Sequence, residues 1–106
     1  METIRGKIQC RTFNAGSKSE GMRAVLTDSD GNEYMLYRAG VYPVNDKYFL
    51  DMDGMDVSVT GEKEDSGDFC VSSAVPADAG MQKMYRIRYR NRKYLKKVLD
   101  RVRKKL

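Results

Sequence analysis

Met22-Arg-Ala-Val-Leu-Thr-Asp-Ser-Asp-Gly-Asn-Glu-Tyr-Met-Leu-Tyr-Arg38 is the stretch on which the fold turns. Its first part, Met22 to Thr27, alternates, which predicts Met22, Ala24 and Leu26 facing inward and Arg23 and Val25 outward. Its centre, Asp28-Ser-Asp-Gly-Asn32, holds residues that tolerate positive φ, so the chain turns back as a hairpin. The return strand, Glu33 to Arg38, carries Tyr34 and Leu36 on one side and Met35 and Tyr37 on the other. Large side chains on both faces suit a central strand of a curling sheet.

The pattern repeats on either side of this hairpin. Thr3 to Phe13 sets Ile4, Gly6, Ile8 and Cys10 against Arg5, Lys7, Gln9 and Arg11, the period of a half-buried strand. Asn14 to Glu20 is rich in Gly, Ser and Lys and reads as a loop. Ala39 to Gly54 breaks the alternation: Pro43 removes a donor, and Asp46 is placed to cap a short helical turn presenting Tyr48, Phe49 and Met52 to the core. Alternation resumes with Met55, Val57 and Val59, and after a polar turn at Glu62 to Gly67 a fifth strand runs from Asp68 to Val75, with Phe69 and Val71 inward. Five strands with a helix-like insertion between the third and fourth give a mainly β chain, and that element order favours a five-stranded OB-type barrel. An SH3-like barrel is the main rival, since it too has five short strands; the long third-to-fourth connection favours the former.

The run Met22 to Arg38, then Tyr48-Phe49, then Asp53-Gly-Met-Asp-Val-Ser-Val-Thr-Gly61, then Phe69-Cys-Val-Ser-Ser73 resembles small bacterial OB-fold proteins of unassigned function. The resemblance covers about residues 20–75, and Met55 stands where that pattern usually has Lys. It implies the barrel and, having no activity attached, implies little about function.

The charges are split along the chain. Residues 1–81 carry eight basic and fourteen acidic side chains, whereas residues 82–106 carry twelve basic and one acidic, Asp100. The organisation expected is therefore a β-barrel over residues 1–80 followed by a basic segment over 81–106, and such asymmetry points to an anionic partner. In Tyr85-Arg-Ile-Arg-Tyr-Arg90 apolar residues alternate with arginines, a strand period, while Leu95, Val98, Leu99, Val102 and Leu106 recur at helical spacing. A short extended segment followed by an amphipathic helix from Lys93 fits better than one helix, because Arg88 and Asn91 interrupt the stripe that one helix needs.

Several function classes recede. No histidine is present, so the commonest general base and metal ligand are both missing, and no motif places a base beside Ser17, Ser19, Ser72 or Ser73. Asp28-Ser-Asp-Gly-Asn-Glu33 and Asp51-Met-Asp-Gly-Met-Asp56 echo the start of a calcium loop, yet each has Gly at the fourth position instead of the sixth. Turn chemistry accounts for both, and neither a metal nor a cofactor is expected. Cys10 and Cys70 lack the spacing of a metal knuckle. No run of about twenty apolar residues could span a membrane, and the charged N-terminus is unlike a signal peptide, which leads to an expected cytoplasmic location.

What remains is a non-catalytic binding module for nucleic acid or another polyanion. The tail offers phosphate contacts through Arg86, Arg88, Arg90, Arg92, Lys93, Lys96, Lys97 and Arg101, with Tyr85 and Tyr89 as stacking surfaces. On the barrel, Arg23, Tyr37 and Arg38 lie near the strands that carry oligonucleotides in OB folds. The alternative is a structural or adaptor protein whose tail helix dimerises or docks through Leu95, Val98, Leu99 and Val102.

Overall fold

A computed structural model describes every residue except Asn14, Ala15, Ser17, Ser19, Lys105 and Leu106, and describes the side chains of the C-terminal helix as far as Arg92. The expected loop at Asn14 to Glu20 therefore falls largely outside the described residues. The strands are β1 (Glu2–Phe13), β2 (Gly21–Asp28), β3 (Glu33–Tyr37), β4 (Asp56–Lys63) and β5 (Asp68–Pro76). A helical turn, α1 (Lys47–Leu50), lies between β3 and β4, and a long helix, α2 (Ala79–Lys104), follows β5.

The five-stranded sheet closes into a ring in the order β1-β2-β3-β5-β4, with β4 returning to β1. All pairings are antiparallel except β3 with β5, which run parallel over Met35–Tyr37 and Asp68–Cys70. Closure depends on β1 serving two neighbours. Its C-terminal part pairs with β2 and its N-terminal part with β4, and Gly6 and Lys7 pair with both. A side chain at Gly6 would collide with the Thr27 carbonyl oxygen, so the close backbone approach at this crossover requires glycine.

Turns hold the strands in register. In the β2–β3 hairpin the Asp28 carboxylate accepts hydrogen bonds from the Asp30 amide at 3.0 Å and the Asn32 amide at 2.9 Å. Gly31 takes φ +84°, the left-handed conformation the turn needs. Desolvation works against the charge of Asp28, but the hydrogen bonds from Asn32, Asp30 and Tyr34 hold its carboxyl below the ordinary range.

The strand period fills the ring. Ile8, Leu26, Leu36, Val57, Val59 and Phe69 are fully buried, and Tyr34 meets Phe69 edge to face at 6.4 Å. Phe49, Met52 and Met55 are buried in the same core. Asp46 caps α1 by accepting from the Tyr48 amide at 3.1 Å, as its position before the helical turn predicts. Two expectations need correction. Val25, expected to face outward, is buried at 7% exposure beside its cross-strand partners Gln9 and Met35. The extended segment expected at Tyr85–Arg90 is helix, because α2 is continuous from Ala79. Asp78 accepts from the Met81 amide at 2.8 Å and starts that helix, ahead of the alternating run.

Gly61 sits where the β4–β5 register shifts, and a Cβ there would strike the Cys70 carbonyl oxygen. Backbone cannot yield as a flexible side chain does. Gly61→Ala is expected to cost about 1–3 kcal/mol in urea unfolding, whereas Gly16→Ala, with open space around it, should cost less than this despite its positive φ.

Candidate nucleic-acid interface

The helix α2 has two opposite faces, set by residues three and four apart. One carries Met81, Tyr85, Arg88 and Arg92 and lies on the body. Met81 and Tyr85 pack against the core, and the Gln82 side-chain amide donates to the Pro76 carbonyl at 3.4 Å. Arg88 donates to the carbonyls of Asp53 at 2.9 Å and Asp51 at 3.4 Å. Arg92 donates to the Lys47 carbonyl at 3.1 Å and pairs with the buried Asp51 carboxylate at 2.9 Å. These two arginines, expected to meet phosphates, instead fasten the helix to the segment around α1.

The alternating run works differently once wound as a helix. Tyr85 and Tyr89, four apart, stack on each other at 6.1 Å with their planes 20° apart. Burial pushes the Tyr85 phenol above its ordinary range, with the nearby Asp51 charge acting in the same direction. The arginines separate: Arg88 and Arg92 turn to the body, while Arg86 and Arg90 are exposed on the opposite side. Lys83, three residues before Arg86, joins them, a cation absent from the residues singled out by sequence although its spacing on a continuous helix identifies it. Among the described residues, Lys83, Arg86 and Arg90 form no ion pair. The side chains of Lys93, Lys96, Lys97 and Arg101, and those of the dimerisation candidates Leu95, Val98, Leu99 and Val102, lie outside the described residues.

Two of the three candidates on the ring, Arg38 and Tyr37, have polar partners of their own. Arg38 makes a two-pronged contact with buried Asp46, at 2.8 and 2.7 Å, and lies 4.6 Å from the centre of the Tyr48 ring. The Tyr37 hydroxyl donates to Glu64, which holds its phenol above the ordinary range. Arg23 lies over Phe13 at 5.8 Å, and its buried Nε has no hydrogen-bond partner. The structure thus brings Arg86 and Arg90 together on one face of α2 and leaves Tyr37 and Arg38 in local pairs.

Other chemistry finds little footing. Burial, reinforced by Asp53, pushes the Cys10 thiol up to about 11, away from a reactive thiolate. Asp28 and Asp53 give their oxygens to backbone amides, and Asp51 to Arg92. Among the described residues, no group of three or more Cys, Asp or Glu is arranged to hold a metal ion, and no helix is long and apolar enough to cross a membrane. A shallow groove of about 340 Å³ beside the β2–β3 turn is lined by Arg5 and Lys7 facing Asp28 and Asp56, so its charges balance. Comparison with models of known protein families, with curated proteins and with solved structures finds no match.

Removing Arg92 would leave the Asp51 carboxylate buried without its partner. Arg92→Ala is expected to lower stability by about 1.5–3 kcal/mol in urea unfolding, and Arg90→Ala to change it by less than about 0.5 kcal/mol. Equal costs for the two would contradict the assignment of faces.

Proposed function

We propose that this chain is a non-catalytic binding module that holds nucleic acid, or another polyanion, on the solvent face of α2. The observation that carries this reading is the row of Lys83, Arg86 and Arg90, exposed and without ion pairs among the described residues. Unpaired cations on a docked helix release counterions when they meet phosphates, with little side-chain rearrangement of the body. Because Arg88 and Arg92 hold the opposite face, the row is presented in a fixed orientation.

We read the closed ring as an OB-type barrel. Supporting this are the strand order β1-β2-β3-β5-β4, the parallel β3–β5 pair and the placement of α1 between β3 and β4. Of the barrel candidates, Arg23 forms no ion pair among the described residues, whereas Tyr37 and Arg38 are engaged by Glu64 and Asp46.

A second reading, an adaptor whose helix docks on a protein, draws on Met84 and Ile87, which are 43% and 49% exposed on α2. Its natural test is the oligomeric state and partner binding of a Met84→Ser, Ile87→Ser variant.

Fluorescence anisotropy with a labelled oligonucleotide at low salt tests the first reading. Replacing Lys83, Arg86 and Arg90 by Ala should weaken binding about tenfold or more, while the unfolding midpoint stays near that of the parent chain. Unchanged affinity in this triple variant would contradict the reading.

A further inference from the structure

We infer that the nucleic acid this face fits is a duplex, bound through its phosphates without sequence preference, an inference that rests on the binding role proposed above. Three features of α2 lead there. The first is alignment along one helix face. Lys83, Arg86 and Arg90 recur every third or fourth residue, and the same spacing in the sequence continues through Lys93, Lys97 and Arg101 within the helix. At about 1.5 Å rise per residue the three described cations span about 10 Å of the helix axis.

The second is what lies beside the row. Single strands are held by cations together with rings on which bases stack, and that stacking offsets the cost of ordering a flexible chain. Tyr85 is packed on the core and Tyr89, 43% exposed, has one ring face on Tyr85, which leaves at most the other face of a single ring for one base. A single strand would therefore be straightened along α2 with little to offset its lost freedom.

The third is charge density. A duplex presents one negative charge per about 1.7 Å of axis, twice that of a single strand, and it is already stiff over about 150 base pairs. A rigid row of cations gains most from such a partner. The row reaches phosphates and not base edges, so it carries no sequence information. The two cations best placed to add a different geometry, Arg88 and Arg92, are held by the body.

The test uses the full chain with a labelled 20-base-pair duplex, an unrelated duplex of equal length and each separated strand, titrated at several salt concentrations. The expected result is at least about tenfold tighter binding of both duplexes than of any strand. For the duplexes, replacing Lys83, Arg86 and Arg90 by Ala should also flatten the plot of log affinity against log salt by about 2.7, near 0.9 for each phosphate that is no longer neutralised. Single strands bound as tightly as the duplexes would overturn the duplex inference and leave the proposed function standing, as would strong preference for one duplex. Binding of none of these at low salt would overturn the duplex inference and the nucleic-acid reading it rests on.

Discussion

The backbone amides that follow α1 serve the Lys47, Phe49, Leu50 and Met52 carbonyls, which leaves the Asp51 and Asp53 carbonyls and the buried Asp51 carboxylate to be met from elsewhere in the chain. In this protein two guanidinium groups from near the end of the chain meet that need. Arg88 reaches the Asp51 and Asp53 carbonyls, and Arg92 reaches the Lys47 carbonyl and the Asp51 carboxylate. The consequences run outward from there. Tyr85 and Met81 pack on the core between β5 and the arginines, α2 is fixed in rotation, and Lys83, Arg86 and Arg90 come to face solvent together.

The body is built to receive this helix. The ring closes because β1 pairs on both sides through Gly6 and Lys7, and Phe49, Met52 and Met55 complete its buried core. Asp46 caps α1 while gripping Arg38, which in turn lies on Tyr48. Tyr48 reaches β5, where the Ala74 amide donates to its hydroxyl at 3.0 Å. A chain of short-range polar contacts therefore connects the helical turn to the strand that leads into α2.

Much of the body was legible in the sequence because strands with one buried face print their period in the residues. Thr3–Phe13, Met22–Thr27, Glu33–Arg38 and the two later strands were all readable in this way, as was the turn at Asp28–Asn32. Val25 escaped because an alternating pattern assigns faces relative to the ring interior, while burial on the outer side depends on which neighbours cover it. Tyr85–Arg90 escaped for a related reason. Strict alternation of Tyr or Ile with Arg fits a strand, but the helix start at Asp78 and the packing of Met81 and Tyr85 decide the matter. Once the segment is helical, Arg88 no longer interrupts an apolar face, because it hydrogen-bonds to carbonyls there. Which arginines serve the body and which serve solvent depends on carbonyls some 35 to 45 residues away, and no local pattern records that.

The central claim is that α2 is docked through Arg88 and Arg92, and amide hydrogen exchange resolved along the intact chain tests it most directly. The account requires that amides from Gln82 to Arg92 exchange slowly, with protection that falls together with that of β5 when denaturant is added. Uniformly fast exchange along α2 while the strands stay protected would show a helix independent of the body, and would contradict the account.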